Sequence, residues 1–407
     1  MLQKDRILHK APNQVITAPP SDRNPEEEGD SLNEDEDKEE EDIGHLQDRA
    51  ISIASNVIAD VFESSRLSGL EYITCGGYNH VWLVVYSTDR SQGGSQDNKF
   101  ILRISREVAS LQPYQIRHEV ACLHFLKENV PQIPVPKVYA WDDGTSNSGP
   151  AFIAQEFIKG QKLSVVWPDL TEEQKTVISR EIASVIVDLG ETRFDCGIGG
   201  LAINAPAGPT IEAAKIFNGR TKFHSPDFYN IGPYTESKGY IQACYDREIS
   251  FYTHAGEADL EPIAEAFEET SVSSFISQLQ RERDAILEDD SVFQKIDAEP
   301  LVLVHEDFHS SNMLVLDGHL VGVLDWEFSG VYPLSELLGA AAILQISGPR
   351  RYENEEWTEQ EEMKWQGHYL EEIQRVTRQR GWTEQDITTV MGGGHYILQK
   401  ARSVMFP

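Results

Sequence analysis

Cysteine is scarce in this sequence: Cys75, Cys122, Cys196 and Cys244 stand far apart, with no C-x-x-C pair among them. That spacing argues against a zinc site on paired thiolates and against a disulfide framework. It suits a reducing compartment such as the cytoplasm. No apolar run approaches the roughly 20 residues that span a bilayer, so a membrane protein is not expected. Basic residues are also few: 35 Lys and Arg stand against 67 Asp and Glu, a formal net charge of −32. Wrapping nucleic acid needs clustered Lys and Arg, so no nucleic-acid partner is expected either. The acidity is uneven, with 13 Asp and Glu between Asp22 and Asp42 against only Arg23 and Lys38. What remains would suit a cationic substrate, but a well-solvated surface is the preferred reading. The first 20 residues lack the apolar core of a secretory signal. They are basic and acid-poor, yet without the Arg and Ser richness of an organellar transit peptide, and that address stays open.

The 407 residues suffice for a two-lobed domain with an extension. Residues 1–45 are polar and charged, with Pro19-Pro20 and a self-repelling acidic run, and read as a disordered tail. Order is expected from about Leu46, where Ile51, Ile53, Ala54, Val57, Ile58 and Val61 recur at helical spacing. Strands follow at 70–74, 81–86 and 100–104, with residues 87–98 as a loose connection. A helix over 114–129 ends at the Pro131, Pro134 and Pro136 cluster, and strands are expected at 137–141 and 151–157. From Thr171 the chain turns helical. Thr171 with Gln174 forms a capping box opening a helix to about residue 193, and further helices are expected over 239–254, 260–287 and 334–344. Strands first and helices later describe an α+β protein with a small sheet lobe, 46–158, and a helical lobe, 159–407.

The helical part is interrupted by LVLVHEDFHSSNMLVLDGHLVGVLD, residues 301–325. An apolar strand ends at His305-Glu306-Asp307, and Asn312 lies five residues past Asp307. A second strand, the turn Asp317-Gly318 and a third strand make a hairpin that ends in Asp325-Trp326-Glu327. A carboxylate such as Asp307 can orient an acceptor hydroxyl and take its proton. An amide, Asn312, and a second carboxylate, Asp325, offer hard oxygen ligands for Mg²⁺, which binds few protein groups besides phosphates. Any one of these residues alone would read as an ordinary loop residue; together their type, spacing and strand-loop-hairpin setting point to phosphoryl transfer.

H-x-D-x-x-x-x-N is the kinase catalytic-loop spacing, matched by His305, Asp307 and Asn312, and Asp325 stands where kinases place the metal-binding aspartate of D-F-G. The variant DWE at 325–327 and the second histidine, His309, resemble the aminoglycoside phosphotransferase family, with choline kinases as relatives. That resemblance covers Leu70 to the end. It implies a bilobal protein kinase-like fold and an ATP- and Mg²⁺-dependent transfer of the γ-phosphoryl group to a hydroxyl of a small molecule. His305 is expected to support the loop rather than transfer protons, and Glu306 and His309 to be structural or solvated. Glu327 is a lesser candidate for metal or substrate.

The first lobe fits the same reading. Gly76 and Gly77 join two strands and let backbone amides approach phosphates; with Asn79 and Val81 they form G-G-x-N-x-V, which is similar to the family's loop though neither Walker A nor the full G-x-G-x-x-G. Arg103 lies where kinases place the lysine of V-A-I-K, and can pair with phosphate oxygens bidentately. Lys99, on the same strand face, is a substitute. Glu119, beside the stripe of Ile116, Val120 and Leu123, wants a cation, Arg103 or Lys99, which would make the strand-to-helix ion pair of kinases. Backbone groups of Glu156 and Ile158 are implied as the adenine contacts at the hinge between lobes.

Two other functions compete. The missing lysine and incomplete glycine loop favour a nucleotide-binding pseudokinase that acts as an interaction module. A protein kinase is disfavoured because no A-P-E segment or long activation loop follows Asp325. The acceptor is not named by the residues; the stretch 196–252 is expected to line its pocket, with Asp227, Tyr229 and Tyr240 only among the candidate contacts. Oligomeric state is not legible.

Overall fold

The computed structural model describes residues 33–89, 95–106, 111–145, 149–205, 207–338 and 359–407. The leading helix α1 runs Asn33–Val61 and so begins inside the acidic run, before the expected start near Leu46. Glutamate is a good helix former, and carboxylates near a helix N-terminus are favoured by its dipole. Its inward face also differs from the expected one. Ala50, Ala54, Val57 and Ile58 are buried against the sheet, whereas Ile51 and Val61 are exposed.

Strands β1 (Ser65–Cys75), β2 (Asn79–Asp89), β3 (Ser95–Ser105), β4 (Val138–Asp142) and β5 (Phe152–Glu156) form an antiparallel sheet of order β1-β2-β3-β5-β4. The first three are longer than their apolar cores suggested, because ladder pairing continues into polar residues, as in Asp89↔Ser95. Strand periodicity divides the two faces. Phe100, Leu102, Ile104 and Ala154 pack with α1, while Ile153 packs with Ile116 and Val120 of helix α2 (Tyr114–Asn129) on the other face. Burying each such large side chain stabilises by about 1.5–3 kcal/mol. The same alternation turns Arg103 away from the α1 core and towards α2.

The second lobe opens with β6 (Gln161–Lys162) and helix α3 (Glu172–Gly190), where Thr171 and Gln174 form the expected capping box. Helix α4 spans Ser237–His254. The helix expected over 260–287 is divided: a 3₁₀ segment, Glu261–Phe267, precedes α5 (Val272–Leu287), which starts on an N-cap at Ser271. Helix α6 (Asp290–Asp297), with Asp289 as its cap, was not anticipated. Strand β7 (Leu301–Val304) leads into the loop, and β8 (Met313–Leu316) and β9 (His319–Val323) form the hairpin. Asp317 and Gly318 both hold positive φ, 52° and 83°, as a two-residue hairpin turn requires. β10 (Gly330–Pro333) returns antiparallel to β7, where sequence reading saw only a connection. Of the helix expected over 334–344, residues 334–336 form a 3₁₀ turn and the part past 338 lies outside the described residues. Helices α7 (Glu359–Gln379), α8 (Glu384–Met391) and α9 (Tyr396–Ser403) complete the chain. A small antiparallel-sheet lobe on a mainly helical lobe is the protein kinase-like arrangement. Among the described residues no helix is long and apolar enough to cross a membrane, and all four cysteines are free thiols.

Candidate active site

The loop after β7 is fixed by its own side chains. His305 is buried; its Nδ1 accepts from the Asp307 N–H at 3.3 Å, so its Nε2–H donates to the Leu324 carbonyl at 3.0 Å. This ties the loop to the residue before Asp325, and burial lowers the His305 pKa, which keeps the ring neutral. Asn312 Nδ2 donates to the Asp307 carbonyl at 3.0 Å and to its Oδ2 at 2.9 Å. His309 Nδ1 accepts from Ser311 N–H, which places the ring proton on Nε2, 3.3 Å from Asp307 Oδ1. His309 was expected to be structural or solvated; it caps the Ser311 N–H and rests against the Asp307 carboxylate. Burial would raise the Asp307 pKa, but His309, His305 and Asn312 outweigh it, and the carboxyl titrates below its ordinary range. Asp307 is therefore a carboxylate, the form that accepts a proton.

The hairpin brings the second carboxylate alongside. The Leu324 N–H donates to the Asn312 carbonyl at 2.8 Å, one step beyond the Met313↔Val323 pair, so Asn312 and Asp325 leave neighbouring strands at the same end. Asp325 has φ 67° and Glu306 φ 66°, left-handed backbone that non-glycine residues rarely hold. Such strain clusters at functional sites.

Arg103 closes the site from the sheet lobe. Its Nη1 donates to Glu119 of α2, and its Nη2 donates to Asp325 Oδ1 at 3.0 Å and Glu327 Oε2 at 3.3 Å. Burial opposes the guanidinium charge, yet the three carboxylates more than offset it and raise its pKa. Burial likewise lifts Glu119 and, with Asp325, pushes Glu327 well above the carboxylate range despite Arg103. The Arg103–Glu119 pair joins strand to helix, whereas Lys99 is exposed and lies over the Phe157 ring at 5.6 Å. Glu327, a lesser candidate in the sequence, is buried and also accepts from Asn79 Nδ2 at 3.0 Å and Gln115 Nε2 at 2.8 Å. Asn79 thus joins the glycine loop to the far end of the hairpin, and Gln115 was missed because a buried amide leaves no sequence signal. Gly76 makes a turn to Asn79 (N–H to O, 2.9 Å), and the Cβ direction of Gly77 faces open space. Val81 is half-buried and sits directly across from Arg103 in the β2–β3 register.

At the lobe junction the Glu156 N–H is taken by the Lys137 carbonyl at 2.8 Å. Ile158 packs on Gly322 of β9, where a Cβ would come within 3.2 Å. A cavity of about 460 Å³ opens beside Asp307, lined also by Tyr78, Phe328, Glu212, Ala213 and Arg402. Of the residues expected there, Asp227 is exposed, and Tyr229 and Tyr240 are buried with their hydroxyls bonded to His224 and Glu212; none lines it. The stretch 196–252 contributes its earlier part, 211–214.

No group of three or more His, Cys, Asp or Glu able to hold a metal occurs among the described residues. An amide and a carboxylate at one strand end still suit a cation that takes its other ligands from phosphates. With Asn312 Nδ2 turned to Asp307, its Oδ1 is the atom available as a ligand.

The sequence model of the phosphotransferase enzyme family (APH) matches residues 76–372, well over half of the chain. The chain belongs to that family. A subtelomeric hrmA-associated cluster protein of Aspergillus fumigatus, found in two strains, is 31% identical over 120 residues, covering 29% of this chain and 22% of the relative. The match thus spans about a fifth of those relatives' length. Among solved structures, the streptomycin-ATP-APH(2")-IIa ternary complex aligns over 86% of this chain and 93% of its own at 14% identity, TM-score 0.46. The gentamicin-APH(2")-IIa complex aligns over 88% and 98% at 14% identity, TM-score 0.47. At these scores the family members say nothing of this chain's acceptor.

Proposed function

We propose that the protein moves the γ-phosphoryl group of ATP to a hydroxyl of a small molecule. The supporting observation is the convergence of Asp307, Asn312 and Asp325 at one end of the β8–β9 hairpin, facing the Arg103–Glu119 pair. In this reading residues 46–158 hold the nucleotide. Gly76, Gly77 and Asn79 border its phosphates, Val81 and the hinge at Glu156 and Ile158 meet adenine, and Arg103 presents its guanidinium to phosphate oxygens. Asn312 and Asp325 would hold Mg²⁺, which neutralises charge on the transferring group. Asp307 accepts the acceptor's hydroxyl proton as the new O–P bond forms and the bond to the ADP oxygen breaks. The cavity beside Asp307 takes the acceptor. Four free thiols suit a cytoplasmic setting.

A second reading has an observation in its favour. Arg103 already grips three carboxylates, Asp325 among them, so a nucleotide must compete for it. A weakly active nucleotide-binding module would look the same. A protein kinase is less suited: after Asp325 the chain enters a 3₁₀ turn and then β10 paired to β7, not a substrate platform. Mg²⁺-dependent ATP consumption of wild type beside Asp307→Ala separates the readings. The enzyme predicts a loss on the order of 10²–10⁴-fold with nucleotide binding kept; unchanged consumption would leave the binding module.

A further inference from the structure

Glu306 stands between His305 and Asp307 and holds φ 66°. A residue with a Cβ resists that conformation, so something must hold it. The bond from the Asp307 N–H to His305 Nδ1 spans the residue at 3.3 Å, and the Glu306 side chain adds a second grip. Arg402, near the end of α9, donates through Nη1 to Glu306 Oε1 at 3.1 Å and through Nη2 to Oε2, a bidentate pair with the two side chains 20% and 15% exposed. Arg402 lies 4.8 Å over the Tyr332 ring of β10 and 3.9 Å from Glu336 Oε2. Glu336 Oε1 in turn accepts from the His395 N–H at 2.8 Å, just before α9. The helix has its own anchors in buried Leu398 and Ala401, so its docking does not depend on Arg402.

We propose that Arg402 is a positioning residue: it clamps Glu306 in the left-handed conformation that aims Asp307 at the reacting hydroxyl. Arg402 borders the acceptor cavity but touches no reacting atom, so recovery in a variant that still lacks it separates the clamp from acceptor binding. It acts through backbone geometry, because turning residue 306 back to negative φ would swing the next side chain away. Misplacement by about 1 Å can cost on the order of 100-fold in rate. The inference rests on the phosphotransferase reading for its kinetic arm only.

The test uses glycine, which adopts positive φ freely and needs no clamp. In the full chain, Arg402→Ala is expected to lower kcat for Mg²⁺-dependent ATP consumption by on the order of 100-fold, with KM for ATP within about twofold. The double variant Glu306→Gly, Arg402→Ala removes both the clamp and the need for it, and is expected to recover to within about threefold of wild type. A double variant as slow as Arg402→Ala, or an Arg402→Ala enzyme as fast as wild type, overturns the clamp. If wild type consumes no ATP, the functional reading fails and amide hydrogen exchange decides instead. Arg402→Ala should then speed exchange at 305–312 alone, and an unchanged loop would contradict the proposal.

Discussion

Two groups of buried charge in this protein are built in opposite ways. Around Arg103 three carboxylates, Glu119, Asp325 and Glu327, share one guanidinium. In the helical lobe two carboxylates, Glu212 and Glu248, share three cations: Arg247 bonds both, Arg220 bonds Glu248, and Lys215 lies near Glu212. The pKa directions follow the count. Burial would raise Glu212, but Lys215 and Arg247 bring it down to about 2. Glu327 moves the other way, well above the carboxylate range, because burial and Asp325 outweigh Arg103. The second cluster has its carboxylates fully paired and holds α4 to the segment before it, with Glu212 also bordering the cavity beside Asp307. The first is short of positive charge, with Asp325 partly exposed. A site that must receive a cation and polyphosphate is expected to carry that deficit; a structural cluster is not.

The difference can be tested by removing one cation from each. Arg247→Ala removes the cation shared by two buried carboxylates, leaving Arg220 with Glu248 and Lys215 near Glu212, and should cost about 3 kcal/mol in denaturant unfolding, with nucleotide affinity little changed in the folded fraction. Arg103→Ala should cost less stability, since Glu119 and Glu327 can take up protons, but weaken nucleotide binding by about tenfold or more, ~1.4 kcal/mol. Equal stability losses would dissolve the distinction. His118 is a buried group with no charged partner among the described residues. The Leu201 N–H donates to its Nδ1 at 2.8 Å and its Nε2–H faces Ser329 Oγ at 3.0 Å, holding α2 to the helical lobe. Burial lowers its pKa to about 4. A depressed pKa gives stability that is full above the unfolded value of about 6.5 and is lost as pH falls towards 4, roughly 3 kcal/mol in all. His118→Asn keeps an acceptor for Leu201 and should flatten the stability profile between those pH values; identical slopes would refute the assignment.

The smallest effect tests the deficit itself. Glu327 has a raised pKa, so its contribution to stability is full below the unfolded value and is lost as pH rises through the folded one. Glu327→Gln keeps an acceptor for Asn79 and Gln115. It should stabilise the protein by about 1 kcal/mol at pH 8 without Mg²⁺, an advantage that vanishes near pH 4. Destabilisation at pH 8 would show the cluster is balanced after all.

The catalytic-loop spacing, the Asp-Gly turn and the helix over 114–129 were legible because each rests on local chemistry: a strand end, a two-residue turn, a proline stop. The Arg103–Glu119 pair was legible from periodicity, since one side chain's strand face and the other's helix face both point inward. Other features depend on distant approach. Gln115 and Asn79 meet Glu327 across more than 200 positions of sequence, and Arg402 meets Glu306 from the last helix, so neither motif nor spacing carries them. β10 was missed because GVYP is short, contains a proline and pairs with the distant β7 and Gly199. The pocket residues Tyr229 and Tyr240 misled for a related reason: a tyrosine in a polar segment reads as a contact, yet both hydroxyls are spent inside the lobe.

The central claim is that the charge deficit around Arg103 is the seat of a metal-bound nucleotide. Titrating ATP against wild type and Asp325→Ala, with and without Mg²⁺, tests it most directly. The account predicts wild-type binding that Mg²⁺ strengthens, and a folded Asp325→Ala whose weaker binding no longer responds to Mg²⁺. A folded wild type that binds no ATP, or a variant as responsive to Mg²⁺ as wild type, would contradict it.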